Sequence, residues 1–231
     1  MNFLRSLIFY LLFYIGTTCF FLVFSPVKLF SYKFVVYLSN LWTTLVIKLS
    51  KMILGIDYLI SGLDNIPKKG SFIVASNHQS AWETFFFGSL FPGSIFILKD
   101  ELRRIPIFSQ YFKKLGFIFV KRDKAFDSMK TVIRTISKLT SREKRIFVIF
   151  PEGTRLLPSE RGKINTGVFA IHKFLNIPIL PVSLNSGVYW LNKTFSKKKG
   201  TIKVKIHPLI KKEVSKEKVI NILKKTYYFK N

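Results

Sequence analysis

The sequence predicts an α/β domain, a mostly parallel mixed sheet flanked by helices, behind an N-terminal helical membrane anchor. Three observations carry that reading. From residue 55 onward, short apolar runs rich in β-branched and aromatic residues alternate with stretches of helical periodicity, the pattern of strands joined through helices. Several runs, such as IFVIF at 146–150, are apolar throughout rather than alternating, as strands buried on both faces are. Ahead of them lie 54 residues dominated by two uncharged apolar stretches.

Taken in order, residues 7–24 form an 18-residue run without a charged side chain, just long enough for a transmembrane helix. A cleaved signal peptide would need a small-residue site after the run, and none follows. Ser25-Pro26 is a natural break. The second stretch, 29–54, has as its longest uncharged piece the 14 residues 34–47, bracketed by Lys33 and Lys48. That is short for a span and suits an interfacial or re-entrant helix. Two helices of a soluble core are the competing account; the aromatic flanks favour the membrane. The chain thus divides into a two-segment anchor, 1–54, and an α/β domain, 55–231. Length leaves open whether the first segment crosses or dips in and returns.

Within the domain, strands are predicted at 57–61, 71–77, 94–98, 117–120, 146–150, 179–184 and 201–206. Helices are predicted at 81–90, 107–114, 126–139, 167–175 and 216–225. In the third of these, Phe126, Met129, Val132, Ile133, Ile136 and Leu139 fall on one face at three- and four-residue spacings.

The composition narrows the partners. The chain is 48% apolar yet carries 38 Lys+Arg against 12 Asp+Glu, a formal net charge of +26. Its positive mean hydropathy, +0.25, excludes a disordered basic tail. A greasy, basic chain meets either an anionic membrane surface or nucleic acid. No nucleic-acid-binding motif is present and the apolar runs are concentrated at the N-terminus, so the membrane is favoured. A single cysteine, Cys19, rules out an intrachain disulfide.

Two short segments carry chemistry. The strand at 71–77 runs into SNHQSAWET, which places His78 at a strand's carboxyl end, where open α/β sheets put their ligands. Glu83 follows five residues later, an offset of about 500° on a helix, so the two side chains meet only if His78 stands in the turn before it. Ser80 as N-cap, with Glu83 three residues on, makes a capping box that supplies that turn. Glu83 is then either a cap or the acid of a His–carboxylate dyad. The other segment, FPEGTR at 150–155, follows a buried strand. Its turn exposes backbone N–H groups, Arg155 adds a fork suited to phosphate or carboxylate, and Glu152 is placed to hold basic side chains. His172 and His207 read as surface or packing histidines.

NHQSAWE followed some 70 residues later by FPEGTR resembles the glycerolipid acyltransferases, specifically the bacterial 1-acylglycerol-3-phosphate acyltransferases. Four blocks match in order: NHQSAWET at 77–84, KDELRRIP through GFIFVKRD at 99–123, FPEGTR, and IPILPVSLNSG at 177–187. Two departures stand out: Glu83 takes the place of the family's usual Asp, and Asn165 stands where a lysine commonly precedes the glycine after FPEGTR, with Lys163 nearby.

The resemblance implies a glycerolipid acyltransferase-like α/β fold. It further implies transfer of an acyl group from a thioester, on acyl-carrier protein or coenzyme A, to the 2-hydroxyl of 1-acylglycerol 3-phosphate. The product is phosphatidic acid, and neither cofactor nor metal takes part. His78 becomes the general base and Glu83 its orienting acid. The family's phosphate-binding positions fall on Arg122, Glu152, Gly153, Thr154 and Arg155, with the two arginines clamping the acceptor. Backbone N–H groups near the start of the helix at Ser80 are candidates for the oxyanion. The expected location is the cytoplasmic face of a bacterial inner membrane. There the 13 lysines of residues 193–231 meet anionic lipid and an acidic donor. Acylation of another lysolipid or an aminolipid precursor, or a non-catalytic lipid-binding protein, are the alternatives.

Overall fold

A computed structural model describes residues 1–105, 108–121, 125–141 and 143–228, with the side chains of 125–128 excepted. Ile107, Arg122 and the side chain of Phe126, singled out from the sequence, lie outside the described residues.

The chain opens with α1 (Asn2–Val23) and α2 (Tyr32–Leu49), whose backbone runs on through a π-turn at Ser50–Leu54. Ser31 caps α2 by accepting from Phe34 N–H. Then come β1 (Ile56–Ser61), β2 (Phe72–Ser76), α3 (Trp82–Leu90), β3 (Ile95–Lys99), α4 (Phe108–Leu115), β4 (Ile118–Val120) and α5 (Ala125–Thr140). The remainder is β5 (Ile146–Ile149), α6 (Gly167–Leu175), β6 (Ile179–Leu184), the single-turn α7 (Ser186–Tyr189), β7 (Gly200–Ile206) and α8 (Lys216–Tyr227).

The strands form one sheet in the order β1-β7-β6-β2-β5-β3-β4. Every pairing is parallel except β6–β7. β6, β2, β5, β3 and β4 therefore all end at one edge, and the loops that leave β2, β5 and β6 are immediate neighbours there.

Alternation along β2 shows how the sheet is buried twice. Phe72 and Val74 join Phe9, Trp82, Phe86, Phe87 and Val148 on one face, while Ile73 and Ala75 join Val132, Ile136, Val168, Ile171, Val219 and Leu223 on the other. α3 and the N-terminal helices cover the first face; α5, α6 and α8 cover the second.

α1 is fastened near both ends. Ser6 Oγ accepts from Lys197 N–H at 2.8 Å, and Phe9 packs edge-on against Trp190. Towards its end, Phe21 contacts Phe108 and Tyr111 of α4. Its other side leaves Phe3, Leu7, Leu11, Tyr14, Ile15 and Val23 exposed. Among the described residues α1 is the one helix long and apolar enough to cross a membrane by length and composition.

Candidate active site

The site is built in the turn between β2 and α3. Asn77 fixes that turn to the end of β6: its side-chain amide donates to Leu184 O at 2.9 Å and its Oδ1 accepts from Leu184 N–H at 3.0 Å. On the other side His78 is bracketed by the loop leaving β5. Its own N–H donates to Glu152 Oε2 at 2.7 Å, and its carbonyl accepts from Leu156 N–H at 2.8 Å. The imidazole stacks on the Phe150 ring with centroids 4.1 Å apart and planes within 15°. Ring and backbone are thus both held, and the side chain keeps 14% of its surface exposed.

His78 Nδ1 lies 2.9 Å from Glu83 Oε1. Glu83 stands in the first turn of α3 and is fully buried. Oε1 also accepts from the N–H groups of Gln79 (2.6 Å) and Ser80 (2.7 Å); Oε2 accepts from the hydroxyls of Ser80 (2.5 Å) and Ser186 (2.7 Å). Five donors converge on one carboxylate. Burial pushes this carboxyl up, but the hydrogen bond and charge of His78 and the bonds from Ser80 outweigh it and hold it below the ordinary value. An ionised acid on Nδ1 fixes the tautomer with the proton on Nδ1 and the lone pair on Nε2. Nε2 makes no hydrogen bond to any described residue.

The choice between cap and dyad resolves into both. The helix begins at Trp82, slightly later than the capping-box pattern predicts, yet Ser80 Oγ accepts from Trp82 N–H and Glu83 accepts from Ser80 N–H. The same bonds narrow the expected oxyanion donors to the N–H groups of Ala81 and Glu83. The N–H groups of Gln79, Ser80 and Trp82 are already bonded, which removes them as stabilisers of a developing charge.

Glu152 also departs from its expected role. It holds no lysine or arginine among the described residues. One oxygen takes His78 N–H and the other takes the Tyr228 hydroxyl at 2.7 Å. Burial and the Glu83 charge push its carboxyl up, against the Tyr228 and His78 bonds that pull it down. Gly153 turns the loop at φ +69°, a left-handed conformation that favours glycine. Beyond it Thr154 and Arg155 are exposed, and their N–H groups bond to no described residue. Arg155 sits one residue before the Leu156 amide that binds His78 O, so its backbone is at the imidazole's turn. Lys163 is exposed, and Asn165 N–H closes the loop on Pro151 O at 2.8 Å. Arg122 lies outside the described residues. β4, which precedes it, ends at the same sheet edge three strands from β2, about 14 Å away.

Ser186 and Tyr228 escaped sequence reasoning as site residues. Ser186 lies in the IPILPVSLNSG block but 103 positions from Glu83, and nothing local announces the contact. Replacing Ser186 by Ala is expected to lower stability by about 1–2 kcal/mol and kcat about fivefold, because Ser80 alone is left at Oε2. Thermal denaturation and initial rates check this. Among the described residues no cluster of three or more His, Cys, Asp or Glu could hold a metal.

A family model described as Acyltransferase matches residues 58–185, from β1 to the residue after β6. The 1-acyl-sn-glycerol-3-phosphate acyltransferase of Pseudomonas aeruginosa is 33% identical over 91% of this chain and 82% of its own. The enzyme of the same name from Borreliella burgdorferi is 31% identical over 77% and 73%. The crystal structure of the 1-acyl-sn-glycerophosphate acyltransferase from Thermotoga maritima shares the fold, with a TM-score of 0.81 at 24% identity, over 99% of this chain and 95% of that one. With a family match over more than half its length and a relative of this similarity across nearly all of it, the chain is an enzyme of the acyltransferase family to which the 1-acyl-sn-glycerol-3-phosphate acyltransferases belong.

Proposed function

We propose that the protein moves an acyl group from a thioester to the 2-hydroxyl of 1-acylglycerol 3-phosphate, giving phosphatidic acid. One observation carries the reading. The imidazole of His78 is fixed through Nδ1 by a buried, multiply bonded Glu83, while Nε2 has no hydrogen-bond partner among the described residues and lies beside a loop that presents Thr154 and Arg155. Nε2 takes the hydroxyl proton as the alkoxide oxygen attacks the thioester carbonyl. The tetrahedral adduct collapses, the C–S bond breaks, and the imidazolium returns its proton to the departing thiolate. Glu83 stabilises the imidazolium in between, so no covalent acyl-enzyme is needed.

The acceptor's phosphate is assigned to Arg155 and the N–H groups of Thr154 and Arg155, with Arg122 as the second guanidinium that the family pattern supplies. Arg155→Ala is expected to raise KM for the acceptor about 10–100-fold while kcat moves little, since a charge-assisted bond to a non-reacting group is lost. Steady-state kinetics at varied acceptor reads this directly.

The donor is acyl-carrier protein or acyl-coenzyme A, and the site faces the cytoplasmic leaflet of an inner membrane. With both ends of α1 docked on the domain, a bilayer-crossing α1 would drag a basic α/β body into hydrocarbon. The helix is therefore assigned to the interface, its exposed apolar side in the lipid. The deciding experiment incubates purified protein with 1-acylglycerol 3-phosphate and each donor. Phosphatidic acid is expected; a protein that acylates only another lysolipid would overturn the acceptor.

A further inference from the structure

The carboxyl-terminal end of α8 reaches the catalytic turn. Val219, Leu223 and Tyr227 root this helix in the core beneath β6, so the next residue, Tyr228, stands on a rigid support. Its hydroxyl donates to Glu152 Oε1 at 2.7 Å and accepts from Gly162 N–H at 2.9 Å. The opposite carboxylate oxygen, Oε2, accepts from the backbone N–H of His78 at 2.7 Å. One buried acid is thus strung between a tyrosine 76 positions away and the residue that bears the imidazole. The Tyr228 hydroxyl also pins the loop from Pro151 to Asn165, which carries Arg155, at its Gly162 amide.

Resting on the acyl-transfer reading above, we infer that Tyr228 is a positioning residue for the reaction. It holds the His78 backbone through Glu152 and the anion-binding loop through the Gly162 amide, keeping the two in one register. It touches neither substrate nor imidazole. The mechanism needs an ionised Glu152, because a charged acceptor grips the His78 amide more strongly than a neutral one. Burial opposes that charge and the Tyr228 hydrogen bond favours it. The other titratable groups around Glu152 are His78 and Glu83 from the β2–α3 side and Tyr227 from α8, with Arg161 acting on Tyr228 from the loop.

Tyr228→Phe keeps the ring and removes only the hydroxyl. The expected result is a kcat about tenfold lower, KM for both substrates nearly unchanged, and Tm within a few degrees of the wild type. In the same variant, the pH midpoint at which the His78 backbone amide ¹⁵N resonance titrates with Glu152 should move upward by about half a unit or more. A double-mutant cycle isolates the Glu152 route: adding Tyr228→Phe to Glu152→Gln should cost clearly less than the about tenfold it costs the wild type. A wild-type kcat with an unmoved amide midpoint, or losses that multiply in the double variant, would overturn the inference. If wild-type protein makes no phosphatidic acid, the substrate reading fails, while the amide titration still decides the role of Tyr228.

Discussion

His78→Ala is expected to lower kcat by about 10²–10⁴, leaving membrane attachment and fold in place. The size follows from the role, since a hydroxyl is a poor nucleophile near neutral pH and the His78 imidazole is the base assigned to it. The fold should survive because the imidazole is not what keeps Glu83 buried. Four donors remain on that carboxylate after the ring is gone: the amides of Gln79 and Ser80 and the hydroxyls of Ser80 and Ser186. The main structural loss is the stack on Phe150, worth about 1 kcal/mol. Phosphatidic acid formation at the wild-type rate by His78→Ala would dispose of the mechanism.

Glu83→Gln is expected to lower kcat by about 10²-fold and to cost about 1–3 kcal/mol of stability. The geometry says why both effects occur. The amides of Gln79 and Ser80 cannot rotate, so they force the glutamine carbonyl to stay at the Oε1 position, and His78 keeps its tautomer. The two serine hydroxyls can turn to accept from the new NH₂ group. What disappears is the negative charge that stabilises the imidazolium. Glu83→Ala is expected to be far worse for folding, about 3–5 kcal/mol, because buried donors lose their acceptor. Because its folded-state pKa is depressed, ionised Glu83 stabilises the protein above its unfolded value. That stabilisation is lost as pH falls through the lower folded one. Glu83→Gln should therefore flatten the acid side of the stability curve, as denaturation at a series of pH values would record.

Most of the architecture was legible. The apolar run at 179–184 and the periodic segment at 167–175 match β6 and α6 residue for residue, because both are bounded by sharp changes in polarity. The ends of α3 and β5 shifted by one residue, where a cap or a turn competes with the regular element. His78 with Glu83 was legible too, since five residues across a strand–turn–helix junction is a local relation. What stayed hidden is long-range. The pairings of Glu83 with Ser186, Glu152 with Tyr228 and Ser6 with Lys197 join residues 103, 76 and 191 positions apart. No periodicity or capping rule encodes such contacts; they follow from which loops the sheet order brings together. Glu152 was misread for the same reason, because its partners, a backbone amide and a distant tyrosine, leave no mark beside it in the chain.

The pairing of β1 with β7 has a bearing on how the protein is made. The two strands are about 140 residues apart in sequence, and Trp190 and Lys197, which clasp α1, come almost as late. Until those residues emerge, a nascent chain can hold its greasy first helix by the Phe21 end, against α2 and α4, but lacks the clasp near its start. Domain closure and the final seating of that helix therefore wait until the residues near 200 have been made, and until then the unfinished edge is a natural client for a chaperone.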